Sequence, residues 1–578
     1  MSETLAEASF SLPEWTQRPL ERLIDQWQQS DGTARFWACD STLWTGRDEG
    51  AWMGWLDLPD TEWANLPRYR ALSRELREER VKRIVLLGMG GSSLGAEVLA
   101  KVLGQEAQFA RFEVLDSTHP EVIRRVADSR GLKTLYIVSS KSGTTLEPNL
   151  LFSYFFEKVS QEESEPPGRS FVAITDPGSP LEVLAAQKGF RAVFYGVPSV
   201  GGRYSVLSAY GLGATALAGI EPEPVLEKAR QMRDLCRNTQ SVENNPGIYL
   251  GIVLGFLATQ GKDKVTILTS PSLASFGGWL EQLLAESTGK DGKVILPLTG
   301  EELGEPDSYG KDRVFVSITL PFETSTELEA RLQALAQAGH PTIRFRCKEK
   351  KDLGGEFFRW EVATAVAASF LKIHPFDQPD VEASKAATRR FAEAYAQTGR
   401  LPESSPLCRQ DGIELFLPQR DQPVDTGLLS HPKPVSRTLQ TYWERIRPGD
   451  YVGLLAFVDP RDRVMECLGK IREKIRRTKR VATCLGIGPR YLHSTGQAFK
   501  GGPNTGVFLL VTTGNEGSEL AIPGQPFGFG TIHRAQALGD FEVLAERARR
   551  VVRLHLVDSR PERWDQLWRT VDESFSLA

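Results

Sequence analysis

V-S-S-K-S-G-T-T-L-E-P, residues 138–148, follows the apolar run Thr134-Leu135-Tyr136-Ile137-Val138, and its reading decides the architecture. β-Favouring residues that give way to a burst of Ser, Thr, Lys and Gly read as a buried strand. That strand opens into a loop at its carboxyl end, where open α/β sheets place their ligands. The loop suits an anion. Ser140, Ser142, Thr144 and Thr145 offer hydroxyl donors, Gly143 lets the backbone turn its amides inward, and Lys141 adds positive charge. A phosphate monoester matches these groups better than an apolar ligand does. A solvated Ser/Thr-rich turn is the plainer alternative.

Working outward, the same grammar repeats. The pattern predicts a strand over 84–87, a tight G-M-G-G-S-S loop over 88–93 and a helix over 94–103. Further strands are expected at 112–115, 171–175 and 192–197, with a helix over 149–163. Alternating strand, loop and helix, with polar residues collected after strand ends, reads as a doubly wound, largely parallel sheet. Gly91 and Ser92 lie in the first loop, which also has a dinucleotide reading with Asp116 as the ribose-binding acid. Ser93 stands where the third fingerprint glycine belongs, and two hydroxyl-rich loops suit one compact phosphate better than a pyrophosphate. A structural glycine turn is the third alternative.

V-G-G-R-Y-S-V-L-S, residues 200–208, places Arg203 behind two glycines that permit close backbone approach, so its guanidinium can face a cleft or pair at the surface. A second α/β unit follows, with an apolar helix at 248–258 and strands at 265–269, 314–320 and 342–346. Its next helix carries Phe276, Trp279, Leu280, Leu283 and Leu284 at spacings of three and four, and Glu286 prolongs that apolar stripe whereas Glu281 does not. Partial burial and the last helical turn both disfavour the Glu286 charge, while a nearby Arg203 or Lys290 would favour it; a general base is the functional reading and a surface glutamate the plain one. After an apolar helix at 357–371, H-P-F-D-Q-P-D-V-E-A-S-K puts Gln378 in a proline-fixed loop and Lys385 on the helix that resumes at Val381.

Composition sets the outer limits. A chain of 578 residues exceeds one core, so roughly three or four domains are expected. With 40% hydrophobic residues, 12 Trp and a net charge of −4, nothing pulls it toward nucleic acid or membrane. Six cysteines without a C-x-x-C pair argue against a zinc knuckle or a disulfide framework, and point to a reducing cytoplasm. No apolar run approaches a membrane span, and M-S-E-T-L-A-E-A reads unlike a signal peptide. The Trp-rich residues 1–80 read as mostly helical packing without chemistry, and the basic helix at 471–479 as a solvated face.

Five blocks in order, G-M-G-G-S-S-L-G, V-S-S-K-S-G-T-T-L-E, G-G-R-Y-S, E-S-T-G-K-D and F-D-Q-P-x-V-E-x-S-K, resemble the phosphoglucose isomerase family. The whole chain is most similar to the isomerase half of bifunctional transaldolase/phosphoglucose isomerases, without a transaldolase domain and its Schiff-base lysine. The resemblance implies an α/β fold of two doubly wound parallel-sheet sugar isomerase domains plus an N-terminal helical segment and a C-terminal α/β extension. The expected bounds are 1–80 for the helical segment, 81–220 and 221–404 for the two sugar isomerase domains, and 405–578 for the extension, after a proline-rich linker.

The activity it implies is glucose 6-phosphate to fructose 6-phosphate conversion through a cis-enediol, with no cofactor and no metal. A phosphomannose or dual-specificity isomerase and a non-catalytic sugar-phosphate regulator stay open. Gly91, Ser92, Ser140, Ser142 and Thr145 would hold the phosphate with Lys141 alongside, and Glu147 and Gln378 would contact substrate. Glu286 matches the base, Arg203 the enediolate-stabilising arginine, and Lys385 the lysine that assists ring opening.

The family's ring-opening histidine has no good match between Glu286 and Lys385; His493, in Y-L-H-S-T-G-Q, is the candidate, with Glu356 and His374 as alternatives. In the family it comes from a neighbouring subunit. The expected assembly is therefore a homodimer, or a monomer whose extension supplies the histidine in cis. The partners implied are a small sugar phosphate, no nucleic acid, no membrane and a functional link to transaldolase.

Overall fold

Sealed strands of branched aliphatic residues carry the architecture, since a strand covered on both faces has no reason to alternate with polar residues. The computed structural model describes residues 7–104, 110–128, 131–162, 165–418, 434–514 and 519–576. Residues 1–6 of the leading stretch, and Glu163 at the end of an expected helix, lie outside them.

Strand β1 is Glu7–Ser11. The first sheet uses β2 (Arg83–Gly88), β3 (Arg111–Leu115), β4 (Thr134–Ser139), β5 (Phe171–Thr175) and β6 (Ala192–Tyr195), in spatial order β3-β2-β4-β5-β6 and parallel throughout. The order reverses between β2 and β4, so the glycine loop and the hydroxyl loop flank the crevice where open sheets bind ligands. The second sheet uses β7 (Lys264–Thr269), β8 (Leu296–Leu298), β9 (Arg313–Thr319) and β10 (Thr342–Arg346), in order β1-β10-β9-β7-β8. The third combines β11 (Cys408–Gln410), β12 (Ile413–Phe416), β13 (Tyr451–Phe457), β14 (Ala482–Ile487), β15 (Gly506–Thr513) and β16 (Arg550–Leu556), in order β11-β12-β16-β15-β13-β14. Strands β13 to β16 are parallel, and β12 runs antiparallel to both β11 and β16.

Two expectations need correction. The leading segment is not only helical: β1 pairs antiparallel with β10, and Phe10 packs edge-on against Tyr249 at 4.8 Å. Five residues with one large apolar side chain carry too little periodicity to read, and the pairing is made by chain more than three hundred residues away. The basic helix expected at 471–479 begins at Asp462, because Val464, Cys467, Leu468, Ile471 and Ile475 form one buried stripe beneath the charges.

Helix α1 (Leu146–Glu162) follows the hydroxyl loop, and α2 (Ala274–Thr288) carries Glu286. Helix α3 (Leu353–Leu371) is buried on nearly every side, and Trp44 of the leading segment donates to its Ala365 carbonyl at 2.7 Å. Helix α4 (Val381–Thr398) lies against α5 (Phe529–Glu546), where Ser384 donates to Asp540 at 3.2 Å.

The C-terminal unit is docked through sealed polar contacts. Gln497 donates to the Asp380 carboxylate at 2.8 Å and to the Gly289 carbonyl at 3.0 Å. Phe529 and Ile532 join the core on one face of the first sheet. At the seam between the second and third sheets, Glu301 takes a bidentate pair from Arg313 at 2.8 and 2.9 Å and a third bond from Thr483 at 3.1 Å. Arg313 is fully buried, so Arg313→Met leaves a carboxylate without its cation; the expected loss is about 3–5 kcal/mol, read as a lower urea midpoint, with partial recovery when Glu301→Gln is added.

Candidate active site

Close backbone approach builds the floor of the site. A Cβ on Gly91 would lie 2.1 Å from the carbonyl of Gly202, and one on Gly90 would lie 2.8 Å from the carbonyl oxygen of His493. Three segments far apart in sequence therefore stack main chain on main chain: the loop after β2, the G-G-R turn and the His493 turn. Beside them, Ser140 Oγ donates to Thr145 Oγ1 at 3.1 Å and accepts the Gly143 amide at 3.1 Å, while the Ser142 and Thr144 hydroxyls pair at 2.8 Å. These hydroxyls gather just ahead of α1, whose amino end favours an anion. The Ser92 carbonyl accepts from Ser139 Oγ at 2.7 Å. Lys141 is bonded to Asp176 and to the Pro198 carbonyl, so its charge is already matched inside the protein.

Asp116 has no freedom to hold a ribose. It pairs with Arg490 at 3.0 Å, and Arg490 also binds Glu97. This half-buried cluster ties the turn carrying His493 to the first sheet, which weighs against the dinucleotide reading.

Glu286 is 8% exposed, and its Oε1 lies 3.3 Å from Nη1 of Arg203. Arg203 is itself buried and fully engaged: Nε donates to Ser287 Oγ at 2.9 Å, Nη2 to the carbonyls of Pro375 and Asp377, and Nη1 to Gln378 Oε1 at 3.0 Å. Gln282, one turn before Glu286, sends Nε2 to Glu286 Oε2 and to the His493 carbonyl, both at 3.0 Å. Sequence reading passed over Gln282, although a glutamine inside a buried stripe is itself a signal. Glu281 takes the Thr299 hydroxyl at 2.5 Å, away from this group.

His493 Nε2 lies 2.9 Å from Glu147 Oε1 within the one chain. Burial works against the Glu147 charge, but the His493 ring and its hydrogen bond outweigh it and hold the carboxyl below its ordinary value. An ionised carboxylate only accepts, so Nε2 carries the proton and Nδ1 is the ring atom left for a substrate.

The remaining candidates separate cleanly. His374 is buried, with Nδ1 accepting the amides of Phe376 and Asp377 and Nε2 facing Asp48 at 3.1 Å, so it shapes the F-D-Q loop. Glu356 pairs with Arg359 at 3.2 Å inside the core. Lys385 bonds Glu382 at 2.7 Å at the protein's edge, with its charge still felt by Glu147. Lys290 donates to the carbonyls of His374 and Asp377 and to the Asp377 carboxylate. Burial and the neighbouring Arg203 charge push its ammonium down to about 8, with Asp377 pulling the other way.

Two outcomes follow from this geometry. Gly91→Ala forces the G-G-R turn away from the glycine loop, and turnover is expected to drop at least about 10²-fold by misplacing Arg203. Raising pH through about 8 removes the Lys290 charge that three oxygens share, so an alkaline limb in the activity profile is expected near that value; Lys290→Arg, which stays charged, should abolish the limb.

The phosphoglucose isomerase family model matches residues 75–315. A glucose-6-phosphate isomerase from Synechococcus sp. (strain JA-3-3Ab) is 32% identical over 385 residues, covering 59% of this chain and 70% of that protein. One from Mycoplasmopsis pulmonis (strain UAB CTIP) is 30% identical over 384 residues, covering 58% and 88%. Among solved structures, a glucose-6-phosphate isomerase from Chlamydia trachomatis has a TM-score of 0.54 at 19% identity over 68% of this chain and 89% of that one. A hypothetical protein from Thermus thermophilus has a TM-score of 0.57 at 24% identity, covering 66% and 99%. The two structures share the fold, and on the sequence relatives the chain belongs to the phosphoglucose isomerase family.

Proposed function

We propose that Glu286, Arg203, His493 and Lys385 carry out the interconversion of glucose 6-phosphate and fructose 6-phosphate, the aldose–ketose isomerisation of this family, on a phosphate held by the hydroxyl loop. One observation carries the reading: within a single chain, Gln282 bonds both the Glu286 carboxylate and the His493 main chain, so the base and the ring-opening histidine share one wall.

The phosphoryl group is held by Ser92, Ser140, Ser142 and Thr145, with the Gly91 backbone approaching closely. Ring opening breaks the bond from C1 to the ring oxygen; His493 Nδ1 takes the proton of the anomeric hydroxyl and passes it to the ring oxygen, with Lys385 and Gln378 at the edge. Glu286 then takes the proton from C2 of the aldose and returns it to C1, while the hydroxyl proton on O2 passes to O1 so that the carbonyl forms at C2. The electron pair passes into an enediolate, and Arg203 Nη1 turns its donors from Gln378 and Glu286 to the developing oxyanion. A carbon acid this weak needs both effects, base and charge stabilisation.

Supply of His493 in cis is part of the proposal, supported by its 2.9 Å contact with Glu147 of the same chain. A monomer would then suffice. A cytoplasmic setting is supported by the six unpaired cysteines, and no helix among the described residues is long and apolar enough to cross a membrane. A link with transaldolase extends the proposal through the shared ketose phosphate.

Two assays separate the roles. In a coupled assay with fructose 6-phosphate, Glu286→Gln is expected to lose about 10²–10⁴-fold in turnover, while anomer exchange of glucose 6-phosphate, followed by NMR, persists. His493→Ala is expected to lose the anomer exchange. Full isomerisation by Glu286→Gln overturns the base assignment, and undiminished anomer exchange by His493→Ala overturns the other.

A further inference from the structure

The Glu147 carboxylate receives a second donor from the C-terminal unit. Gln536, on α5 and 2% exposed, sends Nε2 to Glu147 Oε1 at 2.7 Å, the same oxygen that His493 faces. Its orientation is fixed from behind. Glu147 can only accept, so Gln536 must present its amide nitrogen there and its carbonyl oxygen to Thr118, whose hydroxyl donates at 2.6 Å. That hydroxyl has one proton, already committed, so the contact at 3.0 Å between Thr118 Oγ1 and His533 Nδ1 requires His533 to be the donor. The direction of every bond in the row is thus determined: His533 to Thr118, Thr118 to Gln536, Gln536 to Glu147.

We infer that Gln536 is a positioning residue for ring opening, pinning the Glu147 carboxylate where it receives His493 Nε2–H and leaves Nδ1 to the sugar. The inference rests on the reading of His493 as the ring-opening group. Both donors to Glu147 come from the C-terminal unit, and the carboxylate from the first. Docking of the two therefore sets the histidine's tautomer as well as its place. Thr118 and His533 act one and two bonds further back, so their weight should fall with distance.

The test uses the full chain in a Glu286→Gln background, where isomerisation is suppressed and NMR exchange between the anomers of glucose 6-phosphate reports ring opening alone. Gln536→Leu is expected to slow that exchange about ten- to a hundred-fold, the scale of a hydrogen bond to a buried charge. Gln536→Glu, which sets a second carboxyl against Glu147, should slow it further. Thr118→Val, which frees the carboxamide to rotate, should cost only a few-fold. Affinity for an open-chain six-carbon aldonate 6-phosphate should stay within about two-fold throughout, because the ring-opening step is not needed to bind it. Unchanged anomer exchange in Gln536→Leu and Thr118→Val overturns the inference, as does a loss matched by an equal loss of affinity. If His493→Ala in this background also leaves exchange intact, the ring-opening reading itself has failed. If His493→Ala abolishes exchange while Gln536→Leu does not, only the role of Gln536 falls.

Discussion

A charged carboxylate sealed from water is the constraint on which the site depends. Glu147 is 4% exposed; burial opposes its charge, yet the His493 ring and its hydrogen bond hold the carboxyl below its ordinary value, and Gln536 donates to the same oxygen. A carboxylate without them would take a proton or demand water. Neither donor belongs to the unit that contributes the carboxylate, so the first sheet cannot complete its own site.

The docking that brings the donors in is held by more charge. Arg490 sits between Glu97 and Asp116, and Gln497 joins Asp380 to the carbonyl of Gly289 at the end of the helix that carries Glu286. Enclosed polar contacts of this kind add little net stability compared with packed aliphatic residues, yet a shifted register that leaves one partner unmatched is costly. That trade suits a site whose histidine must arrive within hydrogen-bond reach. The floor of stacked glycine backbones supplies the same exactness by steric means.

Much of this was legible because its chemistry is local. A hydroxyl-rich loop after an apolar strand, a glutamate on an apolar stripe and an arginine behind two glycines each single out their residues within about ten positions, and the structure gathers them round one site. The structure brings Glu286, Arg203, Gln378, Glu147 and His493 together, while Lys385 stands at the edge and Lys141 is already paired. Gln536, Arg490 and Gln282 went unread as site residues. Gln536 lies on a helix covered on most sides, where no polar face stands out, and the meaning of Arg490 exists only once Glu97 and Asp116, far away in sequence, are beside it. Strands such as Leu296–Leu298 are too short to carry a period at all.

The pairing of β1 with β10 bears on how the chain is assembled. Residues 7–11 have no sheet to join until 342–346 exist, whereas the strands of the first sheet lie within 83–195 and can pair among themselves. During synthesis the leading residues thus travel as an unpaired ribbon past a finished neighbour, and the edge of the second sheet stays uncovered in the interval. Until residues 342–346 emerge, that ribbon and the open edge beside β9 are both available for pairing with other chains, so this interval is where aggregation of the nascent chain would start.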